Sequence, residues 1–449
     1  MKSTIFLLTS LLCAALWAQE DIPVSVTLPL ETGTDGALLS EIDLLGVNFK
    51  VDSIITNGIK NEAFPGAQVL VAQNGAVVFH KSYGFHTYDS IQPVGLDDIY
   101  DLASVTKILG PLPALMKLVD EGKLDLDMPF SSYWKPWRGI KDKKDLTLRE
   151  ILAHQAGLKP YLIFLNEVTK KNGKLKKRFI KSSKKKRFQK EAYKGVYVKN
   201  RFYRKMYRMM NRSKVSEEKK YVYSGLTFLI FPELIAQLTG QPYETYLNET
   251  FYKPIGSKTL GFLPMSKKYP NSIVPTEVDT LYRNTLTKGW VHDENASLLG
   301  GISGNAGLFA SAKDLVNIMQ LFMLYGALDG KRFISEEVVK EFTKVQYPEN
   351  ENRRGLGFDK PLLNNSELTL AESYPAPEVS SNSFGHSGFT GTFVWADPEH
   401  QLVYVFLSNR VYPTRDNRNL YELNIRSAVQ QVFYQAIKTE EKMESVPQE

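Results

Sequence analysis

The stretch from Tyr100 to Asp127, YDLASVTKILGPLPALMKLVDEGKLDLD, sets Ser104 and Lys107 three residues apart at the head of an apolar run. A serine hydroxyl attacks a carbonyl only when a neighbouring base takes its proton, and a lysine three residues on in a helix shares its face. That lysine must be neutral for part of the cycle, which burial and nearby cations favour. Spacing alone does not single out this pair, because it recurs at Ser132/Lys135, Ser182/Lys185, Ser183/Lys186 and Ser216/Lys219. Those four lie in polar or basic stretches. Ser104 lies in an apolar one, at a predicted helix start whose backbone N–H groups are oriented together. Pro111 and Pro113 predict a kink or an early break in that helix.

Upstream, EIDLLGVNFKVDSIITNGIKNEAFPG (41–66) has helical spacing, and AQVLVAQNGAVVFHKSYGF (67–85) reads as two strands around an Asn74-Gly75 turn. From Ser104 to Gly256 the pattern is mostly helical, with Gly122, Gly157 and Gly240 at predicted helix ends. Strand character returns in SFGHSGFTGTFVWADPEHQLVYVFLSNR (383–410), as runs at 392–397 and 402–409, and a last amphipathic helix is predicted at about 417–438. This order predicts an α/β (α+β) fold. An antiparallel sheet built from both chain ends is flanked by the terminal helices, and a mainly helical lobe stands beside it. The cleft between the two parts is the expected site.

At 449 residues with 43% hydrophobic content, the chain has enough material for a large core. Residues 1–18 read as a cleaved secretory signal peptide, which predicts a periplasmic or secreted protein. A polar lead, 19–44, precedes the domain predicted at 45–437, and a polar tail follows at 438–449. The single cysteine, Cys13, lies in the signal, behind Leu12 rather than the small residue a lipid-anchoring cysteine follows. The remaining chain therefore has no thiolate nucleophile, disulfide or cysteine-ligated metal. The six histidines show no metal-ligand spacing, so neither metal nor other cofactor is expected.

Charge is concentrated. Of the 56 basic residues, 22 fall between Lys170 and Lys220, with three acids, so the other residues carry 34 basic against 46 acidic groups. We read 166–220 as an insertion in the helical lobe whose aromatics dock on the main domain. Its functional reading is attraction to an anionic surface, cell-wall polymer or lipid headgroups; nucleic acid is not expected for a secreted chain.

Two further elements carry chemistry. In YVYSGLTFLIFPELI (221–235), Tyr223 precedes an apolar helix, and a tyrosine beside a lysine can pass a proton between nucleophile and leaving group. In FGHSGFTGTFVWAD (384–397), His386, Ser387 and Gly388 sit on a glycine-rich strand suited to lining a substrate. The Phe389 N–H behind them would join that of Ser104 in an oxyanion hole. Taken singly, Tyr223 is a core tyrosine and His386 a strand histidine.

Together and in this order, the three elements resemble the Ser-x-x-Lys, tyrosine and Lys/His-Thr/Ser-Gly motifs of the serine penicillin-recognising enzymes. Within them the chain looks like the class C β-lactamase-related branch, with its esterases and D-amino-acid peptidases. LTLREILAHQAGL (146–158) and VHDENASLLGGISGNAGLFASAKDL (291–315) are similar to flanking segments of that branch, where His154 and Asp293 read as turn and packing elements. The resemblance implies Ser104 as acylated nucleophile, Lys107 as its proton acceptor, Tyr223 as general acid/base and His386 as a leaving-group or carboxylate-side contact. It departs from the pattern at Gly225, where the family has asparagine, and at Ala156, where it often has serine; efficient β-lactam turnover is not implied. The expectation is a secreted serine hydrolase acting on an ester, a D-amino-acid peptide or a cell-wall fragment, with water or an amine as acyl acceptor. The alternative is a catalytically weak relative that binds anionic wall polymer through its basic insertion.

Overall fold

The computed structural model describes residues 23–26, 41–267, 269 and 272–444. The predicted signal with Cys13, and residues 445–449 of the predicted tail, lie outside them. Six strands form the main sheet: β1 (Val24–Val26), β2 (Gly66–Gln73) and β3 (Ala76–Gly84) from the first part of the chain, and β4 (Phe384–Ser387), β5 (Phe393–Asp397) and β6 (Leu402–Ser408) from the last. Their order is β1-β3-β2-β6-β5-β4, and every pairing is antiparallel. The β2–β3 turn is the predicted one, with φ of 51° at Asn74 and 82° at Gly75, the left-handed pair that a tight hairpin needs.

Alternation along the strands separates two cores, because successive side chains point to opposite faces. Val69, Val71, Phe393, Trp395, Tyr404 and Phe406 pack with the terminal helices α1 (Glu41–Lys60) and α3 (Ile425–Glu444). Leu70, Ala72, Val394, Val403, Val405 and Leu407 face α2 (Ala312–Met323) and the helical lobe. With both faces covered, β2 and β6 are buried along their whole length. They therefore read as near-continuous apolar runs rather than as an apolar and polar alternation.

The Ser104 helix breaks where the prolines demand it, into 106–109 and Pro111–Asp120, with Gly110 between and Pro111 at the first helical position. There a missing N–H costs no hydrogen bond. The last helix also divides, with a short turn at Asn419–Glu422 and φ of 47° at Asn424 before α3 begins.

The helical reading of 104–256 needs one correction. Ile180–Lys181, Val196–Val198 and Lys190–Tyr193 form a small antiparallel sheet inside the basic segment, followed by a helix at Tyr203–Arg212. Ile180, Ala192, Val198, Phe202, Met206 and Met210 enter the main core, and Asn211 Oδ1 accepts hydrogen bonds from Trp137 Nε1 at 2.9 Å and Trp134 Nε1 at 3.3 Å. Residues 182–187, mostly basic, stay exposed. The segment is a folded subdomain whose lysines conceal a short apolar alternation.

Candidate active site

Ser104 follows a strained residue. Ala103 has φ of 45°, a left-handed conformation that costs an L-residue about 1 kcal/mol or more. The buried Asp101 carboxylate spans this turn, accepting the Ala103 N–H at 2.9 Å and the His292 N–H at 2.7 Å. Lys107 Nζ donates to Ser104 Oγ at 2.9 Å and to the Asn305 carbonyl at 3.1 Å. Its ammonium is buried against the rings of Tyr223 and Phe228, 5.2 and 5.7 Å from their centroids. Among the described residues no carboxylate pairs with it.

The Tyr223 loop is clasped by His154. The His154 carbonyl accepts the Val222 N–H at 3.0 Å and its Nδ1 accepts the Ser224 N–H at 3.2 Å, bracketing Tyr223. Burial, then the charges of Arg354 and Lys107, hold this imidazole well below its ordinary pKa. It is therefore neutral, and because Nδ1 accepts, its proton is on Nε2. The two rings are 4.6 Å apart. Both Tyr223 Oη and His154 Nε2 are buried without a hydrogen-bond partner.

His386 projects from the edge strand β4. Burial, then Arg354 and Lys107, push its pKa down to about 3. Its Nδ1 lies 2.7 Å from the Ser387 carbonyl, so Nδ1 carries the proton and Nε2 offers a lone pair. That Nε2 is buried and partnerless. The turn after β4 is tied to the Ser104 loop by two hydroxyls, Thr390 Oγ1 to the Asp101 carbonyl at 2.7 Å and Thr392 Oγ1 to the Leu102 carbonyl at 3.1 Å. A Cβ at Gly388 would meet Thr392 Oγ1 at 2.0 Å and the Leu102 oxygen at 2.6 Å, so only glycine permits this approach.

A cavity of ≈ 380 Å³ unites Ser104, Tyr223, His386, Ser387, Gly388 and Phe389, with Lys107 beneath Ser104. Part of its lining was not legible in the motifs: Arg353, Arg354, Asp359 and Tyr374 line the same cavity, with Arg354 5.6 Å from the Tyr223 ring centroid and Asp359 bridged to Gly385 beside His386. Asp359 Oδ1 pairs with Arg353 at 2.6 Å and with Arg354 at 2.9 Å. Burial opposes the Asp359 charge, but the two guanidiniums outweigh it and hold the carboxyl well below the usual carboxylate range. In the sequence, Arg353-Arg354 looks like a surface dibasic pair; the only hint is an acidic residue a short turn later. A larger cavity of ≈ 520 Å³, bordered by Lys190, Tyr203 and Trp290, shares no lining residue with Ser104 and holds none of this machinery. Among the described residues there is no cluster of His, Cys, Asp and Glu that would hold a metal, and no helix long and apolar enough to cross a membrane.

The sheet, the helical lobe and a serine bonded to a buried lysine at their junction define a serine hydrolase of the penicillin-recognising type. The chain belongs to the Beta-lactamase family, whose model matches residues 51–428. Proteins named "Putative D-alanyl-D-alanine carboxypeptidase" are similar to it. The one from Escherichia coli O157:H7 is 28% identical over 389 residues, 80% of this chain and 82% of that protein. The one from Salmonella typhimurium is 30% identical over 388 residues, with the same coverage. Solved structures share the fold. EstCE1, "a hydrolase with promiscuous acyltransferase activity", matches with a TM-score of 0.61 at 17% identity, covering 87% of this chain and 100% of its own. A penicillin-binding protein homologue from Caulobacter crescentus matches with a TM-score of 0.58 at 18% identity, covering 89% and 100%.

Proposed function

We propose that this chain hydrolyses an ester or a D-amino-acid peptide of cell-wall type through an acyl-enzyme on Ser104, outside the cytoplasm. The observation that carries this reading is the 2.9 Å contact between the buried Lys107 Nζ and the half-buried Ser104 Oγ, the reach a proton transfer needs. Lys107, once neutral, takes the Ser104 proton as Oγ bonds to the carbonyl carbon. The carbonyl π pair moves onto oxygen, which the N–H groups of Ser104 and Phe389 receive. Collapse restores the carbonyl and expels the leaving group, protonated through Tyr223 with His386 Nε2 as an acceptor beside it. Water then attacks the ester, and its proton returns along the same groups to release the acid and free Ser104. The relatives' names support the D-alanyl peptide member of this substrate class.

Intact-mass analysis after a fluorophosphonate probe tests the reading. One adduct on the wild type and none on Ser104→Ala is the expected result; a folded wild type that takes up no probe removes the acyl-enzyme. A second reading rests on Gly225 and the exposed basic run at 182–187: a weak catalyst that binds anionic wall polymer. Binding to wall material that collapses between low and high salt, with no probe adduct, would favour it.

A further inference from the structure

The ≈ 520 Å³ cavity lies where the basic subdomain meets the helical lobe, and it shares no lining residue with the Ser104 cavity. The subdomain contributes Lys190 and Tyr203 to it, and the helix Phe231–Thr239 contributes Ala236. A volume of this size holds a drug-sized ligand. Its lining is mostly apolar: Leu229 and Phe309 are buried, whereas Tyr207, Leu263 and Trp290 are only half-buried. Concave apolar surface left open to water costs free energy that an apolar ligand recovers. Lys190 is the cation among its described lining residues. The Lys190 stem lies along Gly300, where a Cβ would come within 3.4 to 3.6 Å of Lys190 Cβ, Cγ and Cδ. Its ammonium meets the Leu299 carbonyl at 3.4 Å and the Tyr203 ring at 5.4 Å from the centroid. Among the described residues no carboxylate pairs with it. The two acids that border the cavity are engaged within their own segments: Glu191 Oε1 accepts the Gly195 N–H at 2.9 Å, and Glu233 Oε1 accepts from Gln237 Nε2 at 3.1 Å.

We propose that this cavity binds a single-chain amphiphile with a monoanionic head, a fatty-acid carboxylate, its chain along the apolar lining and its head on the Lys190 ammonium. The inference goes beyond hydrolysis at Ser104 and does not rest on it. The lining supplies affinity in proportion to the apolar area covered, and Lys190 selects the sign of the head. A dianionic head is disfavoured, because its second charge would meet Glu191 or Glu233 with one lysine to balance them. On this reading the folded part of the basic segment serves as a cavity wall, separately from its exposed run at 182–187.

The test is calorimetry on the full chain with hexanoate, octanoate and decanoate, below their micellar concentrations. Affinity is expected to rise about fourfold for each added methylene, the weight of burying one CH2 group. An affinity that stays flat along the series, or no saturable binding at all, overturns the proposal. Octanoate is expected to bind roughly three- to tenfold more tightly than octan-1-ol; equal affinity of acid and alcohol removes the anionic head and overturns the proposal with it. Lys190→Gln should bring that ratio to one or below, and Lys190→Arg should keep most of it. A preference that survives in Lys190→Gln overturns the proposal as well. Location is read with Ala236→Trp, which puts a large side chain into the cavity and should weaken decanoate at least roughly tenfold, about the weight of two methylenes. A folded Ala236→Trp chain that binds decanoate as the wild type does overturns the site. The Lys190 variants, at an exposed position, keep the proposal open to refutation if Ala236→Trp does not fold. No arm involves Ser104, so the outcome is independent of the acyl-enzyme.

Discussion

Two groups of residues lining the cleft differ in how their charges are paired. On the Ser104 wall, Tyr223 Oη, His154 Nε2 and His386 Nε2 are buried without partners, and Lys107 is held by a hydroxyl and a carbonyl rather than by a counter-ion. Beside them, two arginines and Asp359 form an ion triad, with Arg354 and Asp359 almost wholly buried, although Arg354 Nε and the neighbouring Tyr374 Oη also lack hydrogen-bond partners. Unpaired buried groups cost stability. They are tolerated where a substrate completes them, which is why such groups gather at reactive sites. The ion pairs of the triad hold its charges in place whether or not substrate is present.

The sharpest way to break this comparison is Lys107→Ala. If the Ser104 wall is the reactive one, turnover of a small ester should fall roughly 10³-fold or more. A fall below tenfold would show that the proton leaves Ser104 by another route. The ion triad should answer in stability instead. Asp359→Asn leaves Arg354 buried beside a second guanidinium with no counter-charge, and a loss of roughly 3–5 kcal/mol in denaturant unfolding is expected. A fully stable Asp359→Asn chain would mean that solvent already screens the triad.

A smaller effect separates the two groups by pH. The folded His386 imidazole has a pKa of about 3 against an ordinary 6.5, so below about pH 6.5 the unfolded chain takes up a proton that the folded chain refuses. Stability then falls with pH from 6.5 towards 3, and His386→Asn should flatten that slope in denaturation midpoints measured between pH 7 and 4. Asp359 adds nothing in the upper half of this range, because a carboxyl held well below its usual pKa stays charged there and loses its contribution only towards the acid end. The smallest change expected is at Gly225. A Cβ there would come no nearer than 3.9 Å to Lys107 Cε and 4.0 Å to Asn305 Cβ, so Gly225→Asn should fold with a nearly unchanged Tm. It should shift acylation by a few fold from esters towards amide-type acyl groups, since a side-chain amide can bind what glycine cannot. A shift in the opposite direction would show that the space at Gly225 already serves the substrate.

Local signals in the chain were sufficient for much of the architecture. The Asn74-Gly75 hairpin, the break at Pro111 and the closing strands 393–397 and 402–408 depend on turn chemistry, missing N–H groups and side-chain alternation within a few residues. Ser104 and Lys107 were legible for the same reason, as neighbours on one helical turn. The strands at 180–198 were not, because runs of two to four residues set among lysines are too short to show a period. His154 was read as a turn and packing element, and the structure adds that it clasps the Tyr223 loop through both its carbonyl and its Nδ1. The only local pointer to the Arg353–Asp359 cluster was the acidic residue a short turn after the arginine pair. The sequence by itself determined where the chain must turn and set Ser104 beside Lys107 on one helical turn. Only the tertiary structure decided which polar groups are left without partners, because the segments around Ser104, Tyr223 and His386 that bury them meet only in the folded chain.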